Sequence, residues 1–451
     1  MRDKVRKQLR IVEPSISHEH AFELLEIRRI VSENMGLLDL VHEDLVRGLK
    51  NPETGRDGMM SAEQVFLSMV VKQMNEYSYE TLAFHLEDSK SYRRFCGFGI
   101  ADETPSKSTL QRDIKKIRAE TLEAINRILV GAAASDDLEK GRTVRVDCTV
   151  VESNIHHPTD STLMEDVVRV LTRLLLRYRD GFYLDTQFAN HHRRAKKRAL
   201  EILNLRGADN KKRPYKDLID ITGRTISYGE KAIEQLGILA PVFGLAAIEA
   251  QEELQHYVTL GNQVVSQATR RVIHNEKVPS AEKIVSIFEP HTDIIVKDGR
   301  DTYYGHKIAL TGGCSGLLTD LVIWEGNPPD SSMATQMIER QQDIFGRCPR
   351  QAAFDGGFAS RANLKAIKEL GVTDVAFAKR RGISVNEMAR STWVYKRLRD
   401  FRAGIEGMIS FLKRAFGLNR CYWRGFASFK SYAWTSVVSA NLLLMARMRL
   451  T

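Results

Sequence analysis

Cysteine is scarce in this chain and does not pair off. The five present (Cys96, Cys148, Cys314, Cys348 and Cys421) are scattered, odd in number and never in C-x-x-C spacing. That argues against a disulfide scaffold or a structural zinc cluster and fits a reducing compartment. Long apolar runs are missing too. The longest, LGILAPVFGLAAIEA, is interrupted by Pro241 and is too short to span a bilayer. The opening MRDKVRKQLRIVEP carries charge but no apolar core after it, so it does not read as a secretory signal. With 11 Pro and 30 Gly in 451 residues, no internal repeat and no low-complexity stretch, wholesale disorder is not expected. A cytoplasmic protein of two or three domains is the expectation.

Acid is in short supply relative to base. The chain holds 67 Lys+Arg against 57 Asp+Glu, a net charge of +10. A basic surface can be merely solvated, or it can serve a polyanion, since clustered Lys and Arg neutralise phosphates. Position has to decide between these.

From residue 18 to about 135 the pattern is one of short helices. Ser61 caps SAEQVFLSMVVKQM and Ser78 caps YETLAFHLED. After the loop GFGIADETP, the stretch SKSTLQRDIKKIRAETLEAINRIL reads as one helix with Leu110, Ile114 and Ile117 on a face. Lys107, Arg112, Lys115, Lys116 and Arg118 crowd its start. A basic helix following a turn suits a helix-turn-helix reader of the DNA major groove; the plain alternative is a solvated amphipathic helix. Residues 161–284 are again helical in pattern. They hold the densest basic runs, HHRRAKKR with Arg193, Arg194, Lys196, Lys197 and Arg198, and KKRPYK at 211–216. Such runs usually mark a solvated face, but two in one insertion favour a phosphate-backbone contact.

Between and after these lie β signals. TVRVDCTVVES alternates with period 2, and TDIIVK, TYYGHKIALTGG, LLTDLVIWEG, RQAAFDGGF and DVAFAK read as further strands, with GGCSG as a hairpin loop. Asp330 is placed to cap SSMATQMIERQQDIF, and Ser360 caps RANLKAIKEL. From about Tyr395 the chain is helical to its end, apart from a break near Gly417–Gly425. The fold class is α/β: a mixed sheet with flanking helices, interrupted by a helical insertion and preceded by an N-terminal helical domain. The boundaries are 1–140 for the helical region expected to bind DNA, 141–160 with 285–451 for the core, and 161–284 for the insertion.

Three carboxylates stand out. Asp147 lies mid-strand among β-branched residues, where it needs an arginine, backbone N–H groups or a metal opposite it. Asp355 ends an apolar strand before Gly356-Gly357, the end at which open α/β sheets bind ligands, and the glycines leave room for a close approach. Alone it could equally be an Asx-turn or a cap. Glu406 shares a helical stripe about 60° wide with Arg399, Arg402 and Lys413, beside a buried-type stripe of Leu398, Ile405 and Leu412. Two strand-borne aspartates and a helix-borne glutamate form a hard-oxygen set able to hold two Mg²⁺ ions, with Mn²⁺ as a substitute. Glu152 and Asp160 read as structural, His156 and His157 lack a third metal ligand, and Tyr422 and Trp423 read as core packing or as a base-stacking pair.

These residues resemble the DDE transposases of bacterial insertion sequences over roughly 60–445. Asp147-Cys148-Thr149 is similar to their D-x-T element, Asp355-Gly356-Gly357-Phe358 to D-x-G-[FY], and Arg402, Glu406 and Lys413 to R-x₃-E-x₆-K. NIHHPTDSTL resembles a run of the ISNCY-type branch. The resemblance implies an RNase H-like core in which Asp147, Asp355 and Glu406 are catalytic and hold the metal ions. Arg402, Lys413 and Arg399 would contact DNA. It also implies cleavage at the element's ends, joining of the 3′-OH to target DNA, terminal inverted repeats and target duplex as partners, a homodimer or larger on DNA, and a nucleoid-associated location. Arg399 departs from a related group, which has Tyr at that position. Two alternatives stay open: an RNase H-like nuclease that joins nothing, and a catalytically silent DNA-binding regulator.

Overall fold

The computed structural model describes Lys4, residues 17–49, 59–99 and 102–297, Gly299 and residues 301–451. Apart from Lys4, the opening segment read for a secretory signal lies outside the described residues, as does the middle of the GFGIADETP loop. Two compact units emerge: residues 1–152 with 306–451, and residues 153–305.

The first unit starts with seven helices: α1 (Glu19–Glu33), α2 (Gly36–Val46), α3 (Ala62–Met74), α4 (Tyr79–Asp88), α5 (Lys90–Cys96), α6 (Lys107–Ile114) and α7 (Ala119–Ser135). Ser61 and Ser78 cap α3 and α4 as their positions imply. The single helix expected over 106–129 is two. The chain breaks after Ile114 because Asp44 of α2 takes over the start of α7. Its carboxylate accepts from the Arg118 backbone N–H at 2.9 Å and from Arg118 Nε at 2.6 Å. Lys115 and Lys116 therefore sit in the corner between two helices rather than on one basic helix.

Strand β1 (Thr143–Ser153) follows, and the second unit leaves from its end. That unit contains α8 (Asp160–Phe182), α9 (His192–Asn204), α10 (Ala208–Phe243), α11 (Leu245–Ala268) and β2 (Asp293–Lys297). Leu171, Leu174, Leu218, Ala232, Leu254 and Val264 are among the residues forming its own core. Pro241 does not break the apolar run: α10 continues through it to Phe243, and the turn falls at Gly244, where φ is 60°. Pro241 lies in the helix's last turn and withholds a single N–H, the one that would reach the Gly237 carbonyl.

Back in the first unit come the rest of β3 (Asp301–Gly312), β4 (Leu318–Ile323), α12 (Ala334–Phe345), β5 (Gln351–Phe354), α13 (Arg361–Glu369), β6 (Asp374–Phe377), α14 (Val385–Met388), α15 (Thr392–Ala415), β7 (Arg420–Cys421) and α16 (Phe426–Leu450). The sheet order is β2-β3-β1-β5-β6, with β4 on β3 and β7 on β1. β3 and β4 are antiparallel, while β1, β5 and β6 are parallel. This is a mixed, RNase H-like sheet with helices around it. Asp330 does not cap the helix after it. A short 3₁₀ turn intervenes, and the carboxylate is drawn to Lys307 Nζ at 3.0 Å.

α16 is buried on nearly every side, as expected for a helix that is apolar all round. One polar knot pins it. Asn441 accepts from the Leu318 N–H (2.9 Å) and donates to Asn126 Oδ1 (2.8 Å), and Asn126 donates to Thr319 O (3.2 Å). Both asparagines are 1% exposed, so every lost bond strands a dry polar group. Asn441→Leu should destabilise the chain by about 2–3 kcal/mol, read as a lowered denaturant midpoint.

Candidate active site

Parallel register brings the first two acids together. Val144↔Ala352 and Val146↔Phe354 pair β1 with β5, so the next residue on each strand is Asp147 and Asp355. Neighbouring strands lie about 4.8 Å apart, and both acids sit where the pairing of β1 with β5 ends. Asp355 also caps the turn Gly356–Phe358, accepting from the Gly357 N–H at 3.4 Å. The two glycines are also demanded by packing. A Cβ at Gly356 would fall 2.8 Å from the Lys379 side chain, and one at Gly357 would run into the Asp330 carboxylate. The turn that carries Asp355 is therefore clamped from inside by Lys379 and by the Asp330–Lys307 pair.

α15 delivers the third acid. Leu398, Ile405 and Leu412 are all buried, which rolls the stripe of Arg399, Arg402, Glu406 and Lys413 to their side. Two contacts fix the helix along β1. Arg145, two residues before Asp147, lays its guanidinium 4.5 Å from the Phe401 ring and donates Nη1 to the Phe401 carbonyl at 3.0 Å. Gly404 leaves the space this guanidinium needs, because a Cβ there would collide with Nη1. Farther on, Lys413 Nζ donates to the Val150 carbonyl at 2.9 Å. Arg145 was not among the residues expected at the site. Its signal was an arginine inside an apolar strand, next to an acid that needed a cation.

The cation beside Asp147 is Arg402. Nη1 lies 3.6 Å from Asp147 Oδ2 and 3.4 Å from Asp355 Oδ1, and Nη2 lies 2.7 Å from Glu406 Oε1. Arg402 is only 15% exposed, whereas Glu406 is 63% exposed. The Arg402 Nε is buried with no hydrogen-bond partner among the described residues. Among the described residues no three His, Cys, Asp or Glu groups are close enough to hold a metal ion as they stand. The donor chemistry nevertheless fits a hard cation: three carboxylates, all oxygen, converge where one positive group now sits. Next to them, burial and the Asp330 and Asp147 charges push the Cys148 thiol well above its ordinary range.

The other residues singled out lie elsewhere. Arg399 is exposed on α15. Lys107 pairs with Glu80 at 2.9 Å and Arg112 with Asp113 at 3.0 Å. In the second unit, Arg194 and Arg198 both bind Asp217, while Arg193, Lys196 and Lys197 point to solvent on α9. Glu152 is held by Arg420, and Asp160 is buried against Arg271 and Gln267. His156 and His157 follow β1 rather than extend it, and His156 Nε2 is 3.5 Å from Asp166. Trp423 is buried, and Tyr422 is 66% exposed.

A model of a transposase domain (DUF772) matches residues 13–116, and a model of the transposase DDE domain matches residues 290–442. The second covers Asp355 and Glu406 and begins beyond Asp147. No curated protein and no solved structure matches the chain.

Gly404→Ala should force Arg145 off Phe401. The expected cost is about 1–3 kcal/mol, measured as a shift of the unfolding midpoint; an unchanged midpoint would mean that α15 is not seated through this contact.

Proposed function

The chain is a DDE transposase of an insertion sequence, and from that premise we propose that Asp147, Asp355 and Glu406 are its catalytic acids. On this reading it cuts the element's ends by hydrolysis, freeing a 3′-OH, and then joins that 3′-OH to target DNA by transesterification. The observation that carries the reading is the convergence of all three acids on the Arg402 guanidinium. Like charges do not gather on separate elements without a cation to hold them.

The three carboxylates would hold divalent ions, Mg²⁺ or Mn²⁺. When bound, such ions activate the attacking oxygen and stabilise the leaving one in phosphodiester displacement. The chain's own groups prepare this. Asp147 and Asp355 are fixed by strand register, Asp355 further by its cap. Arg145 and Lys413 hold α15 so that Glu406 meets them. Arg402 balances the acids until a stronger cation replaces it, after which its guanidinium is free to pair with a DNA phosphate.

The N-terminal helices would bind element ends. The exposed Arg193, Lys196 and Lys197 would add phosphate contacts from the insertion, while Arg194 and Arg198 spend their charge on Asp217. Two ends must be brought together, so we assign at least a dimer on DNA, working at the nucleoid. The NIHHPTDS run supports the ISNCY-type branch. Arg399, standing where a related group has Tyr, leaves that group's strand-processing route unsupported here. Among the described residues no helix is long and apolar enough to cross a membrane.

Asp147→Asn, Asp355→Asn and Glu406→Gln should each lower Mg²⁺-dependent nicking of duplex carrying the gene's flanks by at least about 10³-fold, with duplex binding in EDTA retained. Persistent nicking by any of the three would remove that residue from the site. Arg402→Gln should bind Mn²⁺ more tightly than the parent in the absence of DNA, measured by titration calorimetry; weaker or equal binding would refute its role as the resident cation.

A further inference from the structure

Away from the acids, a second set of charges has no counter-charge. Lys72 lies in the last turn of α3 and is only 8% exposed. Its ammonium stands 5.0 Å from the Tyr79 ring centroid. Lys115, in the corner between α6 and α7, stands 5.7 Å from the ring of Trp423. The Trp423 backbone N–H in turn donates to the Cys421 sulfur at 3.4 Å. Among the described residues no carboxylate is ion-paired with either lysine. Burial, with the Lys115 charge adding to it, pushes the Lys72 ammonium down to about 8, against a smaller pull from the Cys421 thiol.

A buried ammonium normally has a carboxylate beside it. Here two aromatic faces and the C-terminal end of α3 offset part of the cost, and a second cation adds to it. An anion is the component this arrangement lacks. The turn that carries Trp423 is open at its edge, where Tyr422 is 66% exposed and Arg424 is exposed beside it. Two cations, an exposed ring and an exposed arginine form an edge that a polymer of phosphates can reach.

We propose that Lys72 and Lys115 jointly hold one backbone phosphate of duplex DNA, with Tyr422 and Arg424 flanking it. The inference rests on the transposase reading for its ligand, but not on the catalytic acids. It joins the N-terminal helices to the β7–α16 turn as a single DNA-contacting surface, which neither basic run in the sequence points to. Lys115 would act here not as a groove-reading side chain but as half of a phosphate clamp.

The test uses the full chain in EDTA, so no strand is cut, and duplex carrying the gene's flanks, followed by fluorescence anisotropy over a KCl series. Lys72→Met and Lys115→Met should each weaken binding and reduce the slope of log affinity against log salt by about 0.9, the value for one lost phosphate. The double variant should lose no more slope than either single one, because both lysines hold the same phosphate. Unchanged slopes, or a doubled loss in the double variant, would overturn the proposal. Lys72→Met removes a buried charge, so its melting temperature should hold or rise while its affinity falls. Should it fail to fold, acylation of Lys72 in the parent chain decides. Protection by duplex supports the clamp, and protection by orthophosphate without protection by duplex makes the site one for small anions and sinks it. A parent chain that binds no duplex would instead count against the transposase reading itself.

Discussion

Three carboxylates from different parts of a chain repel one another, and the charge that lets them meet here is Arg402. Its guanidinium touches Asp147, Asp355 and Glu406 at once. Much of the first unit serves this meeting: the parallel pairing of β1 with β5, the clamped turn after β5, and the seating of α15 along β1. Each holds a backbone, and Arg402 supplies the electrostatics. A planar guanidinium can donate in several directions from one position, which a lysine ammonium on a flexible stem does less well.

Much of this was legible in the sequence. The strand carrying Asp147 is read from alternation, the strand ending at Asp355 from its apolar run, and the helix stripe carrying Glu406 from a 3.6-residue period. The strands form where expected, but β1 is buried on both faces over much of its length, so its alternation does not show in burial. The face of α15 follows from Leu398, Ile405 and Leu412 alone. Three points were not legible, and each turned on a partner distant in sequence. The break between α6 and α7 depends on Asp44, more than seventy residues upstream. The fate of Asp330 depends on Lys307, and the close packing against Gly356 and Gly357 on Lys379 and Asp330. Local pattern cannot see such partners. Pro241 teaches the same lesson from the other side: the residue that usually ends a helix lies inside one here, and Gly244 makes the turn.

Charge density was the least faithful guide. HHRRAKKR looks like one basic face, yet two of its arginines are neutralised by a single aspartate across the bundle. Conversely, Lys72 stands in an apolar run and attracts no notice, but no carboxylate among the described residues is ion-paired with it. What governs a cation's availability is the set of groups folded against it, and that set is fixed by tertiary packing.

Cys148 follows Asp147 directly, and its burial has a consequence for which ions the acids can select. A thiolate at that position would be a soft donor next to hard ones and would tilt the set toward zinc or copper. Burial and two neighbouring carboxylates keep the sulfur protonated. Half-buried against the sheet's apolar core, the protonated thiol packs as a small apolar group, so on the proposed reading the donors offered beside Asp147 are oxygen alone.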